Sequence, residues 1–196
     1  AKDYLNGKYY PMMLTALRTG LRIGEMIALK WTDIDFKNRL IEVKRSYVKK
    51  RMTSTKSGKA RSVDMTPSLA QVLKDLQTEQ KKWALKTARP VPEFVFVTKK
   101  GNLKLAENFR YGLEKCLENA KLKRIRIHDL RHTYATIRLL RGHNIGDISY
   151  QMGHSSIKIT YDTYGHWIPG KFKSEVDELD QGHPSAPYMH PDSSRV

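Results

Sequence analysis

Apolar residues at helical spacing open the chain. Met13, Leu14 and Leu17 form a stripe that stops at Gly20, which predicts a helix over residues 9–20. IGEMIALK at 23–30 predicts a second, short one. From Asp33 to Asp64 the period becomes that of strands. DIDF, a polar Lys37–Asn38 pair, RLIEVKRSYV and TSTKSGKARSVDM predict a small antiparallel sheet with a basic hairpin turning at Ser57–Gly58. Thr66 and Pro67 supply a cap and a first-turn proline for a helix reaching Lys86. PVPEFVFV at 90–97 reads as extended, and residues 105–120 return to helix with Phe109, Leu113 and Leu117 on one face. A further helix opens near His128, and shorter ones are predicted at 145–152 and 156–164. After Gly170 proline and serine rise, and about the last fifteen residues are expected to be mobile. The expected fold class is α+β, mainly α with one small antiparallel β-sheet. It divides into a body over 1–170 and a partly helical tail over 171–196.

A chain of 196 residues suits one large domain with a real core. Lys plus Arg number 36 against 20 Asp plus Glu, a formal charge of +16, which points to a polyanion: nucleic acid or an anionic membrane surface. No apolar run approaches the ~20 residues of a spanning helix and the N-terminus lacks a signal-peptide pattern, so the expectation is a soluble chain. The lone Cys116, among Leu113, Leu117 and Ala120, reads as a buried small hydrophobe in a reducing, cytoplasmic setting.

The positive charge is concentrated. Residues 44–61 hold eight Lys or Arg and no acid, and residues 121–141 hold seven with the single acid Asp129, whereas 171–196 has three basic and five acidic residues. Such an arrangement describes a docking face for phosphates and a segment that avoids it. The candidate DNA-binding residues are Lys44, Arg45, Lys49, Lys50, Arg51, Lys59 and Arg61 in the first stretch, and Lys123, Arg124 and Arg126 in the second.

In HDLRH, His128 and Arg131 share a helix face and His132 adds a contact one turn on. The two histidines have the spacing of a zinc-binding helix, but Arg131 would set a fixed cation beside the metal, and Asp129 is shorter than the usual Glu. An arginine beside a histidine suits a phosphate instead, gripped by the guanidinium fork. Arg22, in TGLRIGEMIALKW, asks for the same ligand, with an ion pair to Glu25 as its alternative. No carboxylate cluster of the Mg²⁺-holding type is apparent, so the site is expected to need neither metal nor cofactor. MGHSSIKITYDTYGHW offers Tyr161 and Tyr164. A tyrosine can attack phosphorus and hold the chain as a phosphotyrosine, which conserves the phosphodiester energy for rejoining without ATP. Its phenol, with a free pKa near ~10, needs cationic neighbours or a base.

TGLRIGEMIALKW, the hairpin TSTKSGKAR, HDLRHTYAT and MGHSSIKITYDTYGH resemble, in that order, the signature boxes of the tyrosine recombinases, the integrases of phages and conjugative transposons. The resemblance implies that Arg22 is the first catalytic arginine, with Glu25 its structural partner. It makes Lys56 the general acid for the leaving 5′-oxygen, with Lys59 as the neighbouring alternative. His128 and Arg131 match the H-x-x-R pair, and His154 the histidine of the G-H box. The nucleophile of this family follows that histidine by nine or ten residues and precedes a small residue and His. Tyr164, ten on and followed by Gly165–His166, fits; Tyr161, seven on, does not. The resemblance further implies site-specific cleavage and rejoining of double-stranded DNA by a homo-oligomer, a tetramer on DNA, with accessory DNA-bending or directionality proteins. The resemblance implies an N-terminal DNA-clamping domain that is expected to lie outside these residues, and residues 1–170 are expected to form a catalytic domain. In the tail, Phe172, Val176 and Leu179 recur at helical spacing, a stripe suited to a neighbouring subunit or to the chain's own body.

Overall fold

The computed structural model describes residues 9–54 and 60–168. Among them the helices are Tyr10–Thr19 (α1), Ile23–Ile27 (α2), Pro67–Thr87 (α3), Ala106–Asn119 (α4), Ile127–Leu140 (α5), Ile145–Met152 (α6) and Ile157–Tyr164 (α7). The strands are Ile34–Asp35 (β1), Leu40–Val43 (β2), Arg45–Val48 (β3), Arg51–Ser54 (β4) and Arg61–Asp64 (β5). The mainly helical expectation holds, and local chemistry explains the boundaries. The Thr66 hydroxyl accepts from the Leu69 amide at 3.3 Å to start α3. Gly20 ends α1 in the left-handed region at φ 62°. Glycine is also required there by space, since a Cβ would lie 2.5 Å from a ring carbon of Tyr134. The end of α1 is thereby brought against α5, and with it the turn carrying Arg22.

The strand region departs from the expected single sheet. β1, β2 and β5 form one antiparallel sheet in the order β1-β2-β5, and β3 and β4 form a separate hairpin. That hairpin turns at Lys49–Lys50, both at positive φ (48° and 62°). This double left-handed geometry belongs to a type I′ turn, whose twist suits the flanking strands. Two lysines are not the usual chemistry of such a turn, so the sequence pattern carried no signal for it. Val43 pairs with Arg61 and Arg45 with Ser54. Lys44 alone therefore separates the two ladders on the outgoing side. Ser57–Gly58, Lys56 and Lys59 lie outside the described residues, as does the tail after Ile168 with its Phe172, Val176 and Leu179 stripe.

Two apolar clusters hold the body. The larger joins α1, α2, the three-stranded sheet, α3 and α4 through Met12, Met26, Ile41, Val63, Leu69, Leu73, Val95 and Phe109. The smaller joins α5, α6 and α7 through Tyr134, Ala135, Leu139, Ile148, Met152 and Tyr164. Each fully buried side chain of this size contributes roughly 1.5–3 kcal/mol. α5 serves both clusters, since Leu130 packs in the first and Tyr134 in the second. Cys116 is buried on α4's apolar face, and burial pushes its thiol up. No helix among the described residues is long and apolar enough to cross a membrane.

Candidate active site

Where the two clusters meet, a cleft of about 420 Å³ is lined by Arg22, His128, Arg131, His132, Gly153, His154, Ser155, Ile159, Thr163 and Tyr164. Five of the six residues expected to carry chemistry thus share one wall-to-wall space; Lys56, the sixth, lies outside the described residues. The contributing positions are far apart in sequence, and helix ends bring them together. Arg22 stands in the turn between α1 and α2, and the Glu25 carboxylate accepts from its backbone N at 2.9 Å and its Nη1 at 3.1 Å. Its Nη2 donates to the Gly153 carbonyl at 2.9 Å, which ties the first box to the end of α6.

Arg131, one turn into α5, is only 3% exposed. Its Nη1 donates to the Gly20 carbonyl at 2.5 Å, while Nη2 is buried with no hydrogen-bond partner among the described residues. A buried guanidinium N–H left unpaired is costly, and a guanidinium that lines a cleft suits an anionic ligand. Burial, with the charge of Arg22, lowers Arg131 to about 10, so it remains a cation at neutral pH. His154 follows the left-handed Gly153 that ends α6, and its Nδ1 is 2.7 Å from the Thr160 hydroxyl. Burial and then the charges of Arg131, Arg22 and Arg61 push His154 down to about 4. A neutral imidazole keeps one N–H to donate to a phosphate oxygen. His128 sits at the exposed mouth, lowered by desolvation and by His132 and Arg131.

The two tyrosines differ sharply. Tyr161 is 62% exposed and lines no part of the cleft, whereas Tyr164 is 4% exposed with its ring in the smaller core. The Tyr164 hydroxyl is 2.7 Å from Nδ1 of His132. Burial raises the Tyr164 phenol and the charge of Arg131 pulls against it, so the resting group is the protonated phenol.

Two arginines expected on the DNA-binding face are elsewhere. Arg61 is 7% exposed, because strand alternation turns it inward onto Glu25, at 3.0 and 2.7 Å. Arg45 forks onto the buried carboxylate of Asp33, the closest approach 2.6 Å. Lys49, Lys50 and Arg51 remain exposed on the hairpin and Lys44 just before it, with Lys123, Arg124 and Arg126 exposed on the segment before α5. Arg124 pairs with Glu114, and Arg126 with Asp129 at 3.0 Å.

The sequence model of the phage integrase family matches residues 3–169. This chain belongs to the phage integrase family. As an integrase-family domain it is 32% identical over 198 residues to a XerC-like tyrosine recombinase of Caldanaerobacter subterraneus subsp. tengcongensis, covering 91% of this chain and 51% of that one. It is 31% identical over 193 residues to the transposase of transposon Tn916 from Enterococcus faecalis, covering 91% and 47%. The chain spans about half the length of the curated relatives it matches. Its fold is similar to that of the Tn1549 transposon integrase solved with circular intermediate DNA, with a TM-score of 0.74, 24% identity, and coverage of 91% of this chain and 61% of that one. The catalytic domain of bacteriophage HP1 integrase matches with a TM-score of 0.64 and 22% identity, over 94% of this chain and 90% of that domain.

In this integrase-family domain, sequence reasoning missed the hydrogen bond of His132 to Tyr164. The signal was available: His132 falls one residue after Arg131, on the edge of the same helix face, but its partner lies 32 residues on and only the packing of α7 on α5 brings it near. Arg61 carried no signal apart from strand parity, which places it with Val63 on the buried side.

Proposed function

We propose that this domain cleaves and rejoins DNA at specific sites through a covalent 3′-phosphotyrosine at Tyr164, with neither metal nor ATP in the reaction. The observation that carries this reading is the convergence of Tyr164 with Arg22, His128, Arg131 and His154 in one cleft, where a buried Arg131 Nη2 has no partner among the described residues. A scissile phosphate there would take hydrogen bonds from Arg22 and Arg131, which stabilise charge gathering on its non-bridging oxygens. His128 and His154 would add neutral donors. The Tyr164 oxygen forms the bond to phosphorus as the bond to the 5′-oxygen breaks. The phenolic proton passes to His132, and the departing oxygen takes a proton from Lys56, the role its family box suggests. Attack of a 5′-hydroxyl on the phosphotyrosine reverses these steps and reseals a strand. Exposed lysines of the hairpin would grip the flanking duplex, and cutting two sites requires a homo-oligomer, a tetramer on DNA.

The test is incubation with a pool of nicked duplexes whose sequence is randomised around the nick. A covalent protein–DNA adduct should form, persist in EDTA, and be lost in Tyr164→Phe with DNA affinity unchanged. Loss in Tyr161→Phe instead, or dependence on added divalent metal, would defeat the reading. A chain that binds the pool without any adduct would be a DNA-binding module only.

A further inference from the structure

The charges behind the cleft are organised around a single buried carboxylate. Glu25 Oε1 accepts from Arg22 Nη1 at 3.1 Å and Arg61 Nη1 at 3.0 Å, and Oε2 from the Arg22 backbone N at 2.9 Å and Arg61 Nη2 at 2.7 Å. Burial alone would raise the Glu25 carboxyl, but the hydrogen bond and charge of Arg61, with those of Arg22, outweigh it and hold the group ionised. An ionised Glu25 facing Arg22 alone would cancel much of the charge a phosphate needs from that arginine. Arg61 offsets the carboxylate, so the Arg22–Glu25–Arg61 cluster keeps one net positive charge beside Arg131.

Arg61 also fixes the floor under His154. Its Nε donates to the Gln151 carbonyl at 2.9 Å, while Arg22 donates to the carbonyls of Met152 (3.5 Å) and Gly153 (2.9 Å). The last carbonyls of α6, which have no partner within the helix, are thereby held by the two arginines. The Arg61 guanidinium lies so close under Gly153 that a Cβ there would fall 2.7 Å from its Cζ and Nη1 and 2.9 Å from its Nε. His154 is the next residue.

We propose that Arg61 is a positioning residue of the phosphate site: acting through Glu25 it keeps the charge of Arg22 available to the phosphate, and through the end of α6 it sets the place of His154, without touching DNA. This rests on the strand-cleaving reading above. It replaces the expectation that Arg61 is one more phosphate contact, and the two make opposite predictions.

The experiment uses the full chain and a nicked duplex selected by the wild type from the randomised pool, and measures adduct formation in a single turnover. Arg61→Met should slow the rate at saturating duplex by about 10²-fold, the scale of losing one preorganised donor. The half-saturating duplex concentration and the salt dependence of binding should stay as in wild type. Neutralising the carboxylate as well, in Glu25→Gln/Arg61→Met, should recover at least about tenfold of that rate, because no buried charge then opposes Arg22. A wild-type rate in Arg61→Met, or a double variant no faster than the single, overturns the inference. So does a salt slope smaller by about one with an unchanged saturated rate, which would put Arg61 on DNA. Should Arg61→Met fail to fold, Arg61→Lys carries the test: it keeps the charge and loses the fork. It should be about tenfold slower at saturation with unchanged half-saturation, and a wild-type rate would overturn the inference. Absence of an adduct in the wild type would instead defeat the strand-cleaving reading itself.

Discussion

The hydroxyl of Tyr164 and Nδ1 of His132 are 2.7 Å apart, the one hydrogen bond of the phenol among the described residues. Burial holds that phenol protonated, so an attacking oxygen must lose its proton to a neighbour as it reacts. His132 is placed to receive it. His132→Ala should slow adduct formation by about 10²–10⁴-fold, the usual range for a general base, with DNA affinity unchanged. His132→Gln, which can hold the phenol but not take its proton, should be as slow as the alanine variant. A glutamine variant at wild-type speed would reduce the histidine to an orienting contact.

Lys56 can be tested through its proton rather than its charge. Lys56→Ala should cleave ordinary DNA about 10²–10⁴-fold slowly and regain most of its rate on a duplex with sulfur in place of the bridging 5′-oxygen, because a thiolate leaves without protonation. Arg22→Ala and Arg131→Ala should gain nothing from the sulfur. Rescue of Lys59→Ala in its place would move the acid to Lys59.

His154 makes stability depend on pH. Its folded-state pKa of about 4 lies below the ordinary 6.5, so between those values the unfolded chain binds more protons than the folded one. The contribution is complete above about pH 6.5, declines as pH falls, and is exhausted near pH 4. Its size is on the order of 2 kcal/mol once the partly solvated ring is allowed for. Urea unfolding at pH 7, 5.5 and 4 should show this slope, and His154→Gln should make it shallower, with the lowered His128 supplying part of what remains. Parallel curves for the two proteins would mean that the imidazole titrates normally.

Charge on the hairpin divides into two kinds. Lys49→Ala and Lys50→Ala should each lower the dependence of log affinity on log salt by about 0.9, as when one phosphate contact is lost. Arg45→Met should leave that slope alone and destabilise the fold, since it strands the buried Asp33 carboxylate. Equal salt effects for all three would show that the Asp33 pair opens when DNA binds.

The shelf under the tyrosine is apolar. Ile148 is fully buried in the cluster that holds Tyr164, and Ile148→Ala should cost about 2–5 kcal/mol in denaturant unfolding. A loss under about 1 kcal/mol would mean that α6 and α7 close over the cavity.

Much of this was legible in the chain. Helix boundaries at Gly20, Thr66 and Gly153 follow from caps and turn residues, which act locally and so leave their mark in a few neighbouring letters. The convergence of Arg22, His128, Arg131, His154 and Tyr164 followed from ordered boxes. Three features were not legible. The turn at Lys49–Lys50 is set by the twist of its strands against the preference of its residues. The burial of Arg61 depends on which side of β5 faces Glu25, a matter of tertiary parity. The His132–Tyr164 contact depends on how one short helix leans on another.

The ring of Tyr164 belongs to the interior of the smaller core while its oxygen opens into the cleft. A strand joined to that oxygen would be moored to a helix end anchored in the smaller core rather than to a swinging loop. Its 3′ end could then drift little during the pause between cutting and sealing. The travelling partner in an exchange would have to be the free 5′ end, which crosses to a stationary berth.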